Sequence, residues 1–135
     1  MKLLLIIDDY LPDSTKVGAK MMHELALELK NNGHEVSVLT PKPLQKESLS
    51  VKNIDGINVL FFRSGRIKNV GKIKRAVNET LLSYQAFKSA KKYLKENPHN
   101  GIIYYSPSIF FGRLVRKLSK LWNCKTYLIL RDIFP

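Results

Sequence analysis

One cysteine, Cys124, stands in 135 residues, so no disulfide can close within the chain. That usage fits a reducing compartment. Three histidines, His23, His34 and His99, are scattered without ligand spacing, and with a lone cysteine they make no metal-site pattern. No apolar run is long enough to span a bilayer. The opening Met-Lys-Leu-Leu-Leu-Ile-Ile imitates a signal peptide, but it meets Asp8-Asp9 at once and no small-residue cleavage site follows. It reads as a first core strand. Acidic residues are scarce too: 11 against 23 lysines and arginines, a formal net charge of +12. Such a charge implies an anionic partner or surface, whether nucleic acid, acidic lipid head groups or a phosphorylated substrate. The plain alternative is a soluble, lysine-rich surface.

What is present describes one folded domain at most, with 44% apolar residues and a length that supports a core. Residues 2–8 form a near-continuous apolar run, as a strand buried on both faces of a parallel sheet would. Residues 15–32 place Val17, Met21, Met22, Leu25, Ala26 and Leu29 at helical spacing, stopped by Asn31-Asn32-Gly33. Residues 36–40 make a second strand, closed by Pro41, and a polar loop follows. Residues 49–54 and 57–63 flank Asp55-Gly56 and predict a hairpin whose second arm is the more buried. A long helix over about 70–96 carries Val70, Ile73, Val77, Leu81, Tyr84, Phe87 and Leu94 on one stripe and ends at Asn97-Pro98. A strand over 101–106, a helix over about 108–121 and a core strand over 124–130 complete the series. The order predicts an α/β, Rossmann-like, doubly wound and mainly parallel sheet, with helices on both faces and one hairpin. Ending on a core strand, the chain reads as a truncated domain.

In such sheets ligands bind beyond the carboxyl ends of the strands, which draws attention to residues 8–18. Asp8 and Asp9 end the first strand, as substrate contacts or as turn formers. Gly18, near a helix N-terminus, offers close approach to free backbone N–H groups or simply packing room. The segment lacks G-x-G-x-x-G, so a dinucleotide fingerprint is not supported. Tyr105, Ser106 and Ser108 border the same edge and can bond a ligand's hydroxyls, Ser108 alternatively capping a helix. Arg131 and Asp132 end the last strand, as a catalytic pair or as a structural ion pair.

Residues 25–40 follow the pattern LA-x-x-L-x-x-x-GH-x-V-x-V-x-T, and residues 131–135 read RD-x-x-P. Together with Gly18, the DGINV hairpin, the long basic helix and IIYYSPS, they resemble glycosyltransferase family 4 across essentially the whole chain. The likeness is nearest to bacterial enzymes that add N-acetylated deoxy sugars such as N-acetylfucosamine in O-antigen or capsule assembly. The resemblance implies half of a GT-B fold. The N-terminal Rossmann-like domain mostly binds the acceptor, and a C-terminal domain binds the nucleotide sugar and carries paired glutamates. No E-x7-E pair of that type occurs here, so a donor domain is absent and the chain alone is expected not to transfer sugar. Family members often have His-Asp where this chain has Arg131-Asp132. A guanidinium is no base but stabilises phosphate charge, which leaves Asp132 as the acceptor contact or base. The resemblance implies no cofactor and no metal.

The long helix is also strongly basic. Lys88, Lys91, Lys92 and Lys95 interleave with Tyr84, Phe87 and Tyr93, a pattern that fits an anionic membrane surface, where a lipid-linked or oligosaccharide acceptor would lie. These features predict the acceptor domain of a retaining glycosyltransferase in surface-polysaccharide synthesis, peripheral at the inner face of the cytoplasmic membrane. Two other readings stand beside it. One is a stand-alone Rossmann-like module that binds a phosphorylated ligand. The other is a nucleic-acid binder, disfavoured because no helix-turn-helix, RNA-binding or zinc motif accompanies the charge.

Overall fold

A computed structural model describes residues 1–7, 10, 17–43, 45–64, 72–105 and 112–129. Six strands, β1 (Lys2–Ile6), β2 (Glu35–Pro43), β3 (Leu49–Ile54), β4 (Ile57–Ser64), β5 (Gly101–Tyr105) and β6 (Lys125–Ile129), form one sheet in the order β3-β4-β2-β1-β5-β6. All neighbours run parallel except β3 and β4. Three helices supply the crossovers: α1 (Val17–Asn31), α2 (Lys72–Glu96) and α3 (Gly112–Trp122). The α/β, Rossmann-like, mainly parallel architecture is the one the sequence predicts.

The central strand explains the two-layer cover. Successive residues of a strand point to opposite faces. Leu4 and Ile6 therefore join Leu39, Leu60 and Phe62 under Ala86, Ala90 and Leu94 of α2 and Leu114 and Leu118 of α3. Leu3, Leu5 and Ile7 join Val36, Val38 and Val59 under Met22 and Ala26 of α1. All five of these β1-run side chains are buried, as a strand covered on both sides requires. α1 ends at Gly33, whose φ of 88° allows two closing bonds, His34 N–H to Leu29 O at 3.1 Å and Gly33 N–H to Lys30 O at 3.0 Å.

Pro41 does not close β2, which runs on to Pro43 beside β4, Pro43 opposite Ser64. The N–H of Ile7 bonds Leu39 O at 3.2 Å, so the polar groups of residue 39 face β1, as do those of residues 41 and 43. The β1 pairing stops at Ile6 opposite Leu39. Both prolines thus lack an N–H only on the side where no strand needs one. The hairpin forms as predicted. Asp55 (φ 53°) and Gly56 (φ 83°) both adopt positive φ, the geometry that matches the twist of the strands. The β4 arm is the buried one.

Two further expectations are corrected. The buried line of α2 is Ala86, Ala90 and Leu94, with Phe87 partly covered, whereas Leu81 and Tyr84 are 41% and 59% exposed. Alanines four apart let the helix lie close on the sheet, which turns the larger Leu81 and Tyr84 outward. The side chains at 73 and 77 and all of residue 70 lie outside the described residues. β6 is likewise no core strand: Tyr127 and Leu128 are 56% and 45% exposed. Tyr127 pairs with Ile103, which lies on the α1 side, and α1 covers β1, β2 and β4 rather than this end of the sheet.

Candidate functional site

β1 lies between β2 and β5, and its crossover α1 leads to β2 on one side while α3 carries the chain from β5 to β6 on the other. The connections diverge at the carboxyl ends of β1 and β5, where an open α/β sheet offers a crevice. Ile6 pairs with Tyr104, and Tyr105 with Ile129. The chain segments that follow β1, β5 and β6 therefore leave three adjacent strands at one edge. Those segments hold the residues singled out in the sequence. Asp9, Ser106, Ser108, Arg131 and Asp132 themselves lie outside the described residues, as does Asp8. Gly18 sits half-buried in the first turn of α1, and Tyr105 is the last residue of β5.

Within the described residues, this edge is braced by a hydrogen-bonded line that sequence reasoning missed. His23, buried on α1, meets the Tyr10 hydroxyl through Nδ1 at 2.6 Å and Asp55 Oδ2 through Nε2 at 2.8 Å. The carboxylate accepts, so Nε2 carries the proton and Nδ1 accepts from the Tyr10 O–H. The two rings meet edge to face, 5.6 Å between centroids at 71°. Burial, and then the charge of Asp55, push the Tyr10 phenol far above its ordinary range, so it stays protonated and donates. The line is an anchor: it ties residue 10, three residues past the last described residue of the β1 run, to a helix and to the tip of the hairpin. His23 stands at the centre of this line. Its partners lie 13 and 32 residues away, and nothing local in the sequence signals them. His34 is also engaged, its Nδ1 3.1 Å from the Met1 amino group.

The basic surface is broader than the sequence reading made it. Lys88, Lys91, Lys92 and Lys95 are all exposed along α2. On the same side of the sheet, α3 exposes Arg113, Arg116, Lys117 and Lys120 at i, i+3, i+4 and i+7 and contains no acid. Its opposite face buries Leu114, Val115 and Leu118. Lys91 and Lys117 bracket Phe87 from the two helices, 5.9 and 4.9 Å from its ring centroid. The spacing of the α3 cations was visible in the sequence and was passed over for the longer run.

Among the described residues no cluster of three His, Cys, Asp or Glu could hold a metal ion, and no helix is long and apolar enough to cross a membrane. Cys124 is half-buried and its thiol is pushed up by burial, so it is a poor nucleophile at neutral pH.

No protein-family model matches the chain, and no curated protein matches it. Solved structures do. The catalytic domain of starch synthase IV from Arabidopsis thaliana, bound to ADP and acarbose, superposes with a TM-score of 0.70 at 14% identity over 96% of this chain. An E. coli structure described as trehalose-6-phosphate bound with UDP-2-fluoro glucose superposes with a TM-score of 0.56 at 10% identity over 100% of this chain. The chain spans about a third, 34%, of each of those chains. At such identities the likeness is one of fold, and the fold is that of a Rossmann-like unit of GT-B glycosyltransferases.

Proposed function

We propose that the chain is the acceptor-side domain of a retaining, nucleotide-sugar-dependent glycosyltransferase of family 4 that builds bacterial surface polysaccharide. The observation that carries this reading is the juxtaposition at one sheet edge. The segments bearing Asp9 and Gly18, Tyr105 to Ser108, and Arg131 to Asp132 leave β1, β5 and β6 side by side, in a unit whose fold resembles a third of GT-B chains. Gly18 and Asp9 would line the acceptor side of the crevice, and Tyr105, Ser106 and Ser108 would bond acceptor hydroxyls. Asp132 would accept the acceptor proton, with Arg131 steadying phosphate charge. The nucleotide sugar would be held by a second domain. The cations of α2 and α3 would rest on an anionic membrane at the cytoplasmic side, where a lipid-linked acceptor is presented.

Titration calorimetry with UDP-, GDP- and dTDP-sugars tests the domain assignment. The chain alone should give no saturable heat, and micromolar binding of any of them overturns it. In the protein carrying both domains, Asp132→Asn should lower turnover about 10²-fold, the scale of a lost general base, with melting temperature retained. Lost stability with activity intact in the folded fraction would make the residue a structural one.

A further inference from the structure

Lys88, Lys91, Lys92 and Lys95 of α2 stand at i, i+3, i+4 and i+7, the spacing that the four α3 cations also have. At 3.6 residues per turn each set is a single stripe. Each stripe lies opposite the buried line of its own helix, Ala86 and Ala90 on α2 and Leu114 and Leu118 on α3. Both stripes therefore point away from the sheet. The helices lie side by side and run the same way. Lys117 meets Phe87, and further along both helices Trp122 Nε1 donates to Leu94 O at 3.1 Å. A stripe of this length covers about 10 Å, and packed helix axes lie about 8–10 Å apart, so the two stripes share one small plate.

Among the described residues none of these cations is in an ion pair, and α3 contains no acid. On α2, Glu96 is four residues past Lys92 and belongs beside it, about 140° round the helix from Lys91. Glu79 precedes Lys91 by about 18 Å of helix. Lys95 and Lys120 stand in last turns, where a cation offsets the helix dipole. Lys91, Arg113 and Lys117 lie outside those turns and have no such role. The seam between the helices is the most specific part of the plate. Phe87 packs on the core, and Lys91 and Lys117, one from each helix, both approach its ring, 5.9 and 4.9 Å from the centroid. The ring holds two exposed ammoniums beside each other, and an anion between them relieves their repulsion. Arg113 and Lys120, four residues before and three after Lys117, extend the donors along α3. A singly charged group leaves one ammonium unmatched. A phosphomonoester carries about −1.5 to −2 at pH 7 and three acceptor oxygens, enough for both. Tyr84, three residues before Phe87, and Leu121, four after Lys117, add exposed apolar surface along the same seam. Cations edged by exposed apolar groups fit a membrane interface rather than a bare ion or a duplex.

We propose that the α2–α3 seam is a head-group site for a lipid phosphomonoester, the dianion held between Lys91 and Lys117 with Arg113 and Lys120 at its margins. The inference rests on the reading that this face meets a membrane, and it adds a choice among anionic lipids. A merely basic surface responds to the total charge of a bilayer. This site responds to the charge gathered on one head group.

The experiment is sedimentation of the chain at pH 8 with phosphatidylcholine vesicles that contain phosphatidylglycerol or half as much phosphatidate, so that total charge matches. Phosphatidate vesicles should bind about tenfold tighter, since one further charge-assisted hydrogen bond is worth about 1.5–3 kcal/mol and 1.4 kcal/mol is tenfold. Lys91→Gln with Lys117→Gln, both at exposed positions, should bring that ratio to about one with the circular dichroism spectrum unchanged. Lys88→Gln with Lys92→Gln removes the same charge from positions turned about 100° and 140° from Phe87 round α2. It should weaken binding to both vesicles alike and keep the ratio. Equal binding of the parent chain to the two vesicles overturns the proposal and leaves the membrane reading standing. Binding to neither overturns both. A ratio that survives in the seam variant, or that falls equally in the two variants, also overturns the proposal. Two more arms test the source of the phosphate. Glycerol 3-phosphate at the lipid's own concentration should not displace the chain from phosphatidate vesicles, and a duplex oligonucleotide should bind more weakly than they do at the same ionic strength. Displacement by the soluble phosphate, or tighter binding to the duplex, overturns the lipid assignment.

Discussion

Acid should destabilise this protein through one imidazole. His99 is 2% exposed, in the turn between α2 and β5, with its ring 4.8 Å from that of Trp122 and tilted by 36°. Neither ring nitrogen has a hydrogen-bond partner among the described residues. Burial, and then the positive charge of Lys2, push its pKa down from 6.5 to about 4; the Asn97 backbone and the Glu35 carboxylate oppose this more weakly. The Asn97 backbone favours the charged ring without the geometry of a hydrogen bond. The unfolded chain therefore binds a proton in a range where the folded one does not. Stability is fully present above about pH 6.5 and is lost as pH falls toward 4. The full loss is about 3 kcal/mol, from 1.36 kcal/mol per pKa unit, and about 2 kcal/mol of it is gone by pH 5. His99→Phe keeps an aromatic ring against Trp122 and removes the titration. Urea unfolding followed by circular dichroism at pH 8 and pH 5 reads the difference. Carboxylates titrate in both proteins, so the gap between variant and parent isolates the imidazole. It should widen in the variant's favour by about 2 kcal/mol between the two pH values. Parallel pH curves for the two proteins would refute the reasoning.

Gly56→Ala should cost about 1 kcal/mol by strain at φ 83°, seen as a lower urea midpoint at unchanged slope; the new methyl also displaces the flexible Lys30 ammonium end. Gly33→Ala, at φ 88° with open space around it, should show the same strain without that collision. Tyr10→Phe leaves His23 Nδ1 without its donor and should cost about 1–3 kcal/mol, with nitrogen NMR of the imidazole reporting loss of the single tautomer. For the membrane reading, sedimentation with anionic vesicles should weaken with salt, because exposed charges are screened over roughly 8–10 Å. Glutamine at Lys88, Lys91, Lys92 and Lys95 should reduce it, and glutamine at Arg113, Arg116, Lys117 and Lys120 in addition should abolish it; equal binding to neutral vesicles would sink the idea.

The elements that were legible in the sequence are those whose burial follows local periodicity. After Lys2 the β1 run is apolar through Ile7, and Asp55-Gly56 separates two strand-like runs, so strand and hairpin declared themselves. α2 was placed and its Phe87 and Leu94 do meet the core, but Leu81 and Tyr84 do not, because the buried line there rests on Ala86 and Ala90. Alanine is a weak signal when Tyr84 and Leu81 offer more surface to bury. Pro41 was read as a stop because a proline's cost depends on which neighbour its nitrogen faces, and that neighbour is known only from the sheet order. The brace of Tyr10, His23 and Asp55 joins three separate elements, and its existence depends wholly on tertiary structure. The strand–helix alternation also predicts that β1 and β5 are neighbours, and the strand order shows them side by side.

The central position of β1 has a consequence for how the chain is made. Its two hydrogen-bonded edges belong to strands of very different arrival time. β2 follows about thirty residues later, whereas the first bond to the β5 side, Lys2 N–H to Asn100 Oδ1 at 2.7 Å, spans 98 residues. At about 5–20 residues per second of synthesis, β1 waits roughly 5–20 s for that second partner. During the wait its apolar face and one open edge have only the α1–β2 unit to shield them. The α1 crossover and the β3–β4 hairpin are local and close early, whereas the pairing that completes the sheet comes late. Nascent copies stalled before residue 100 should therefore be the ones that recruit chaperones.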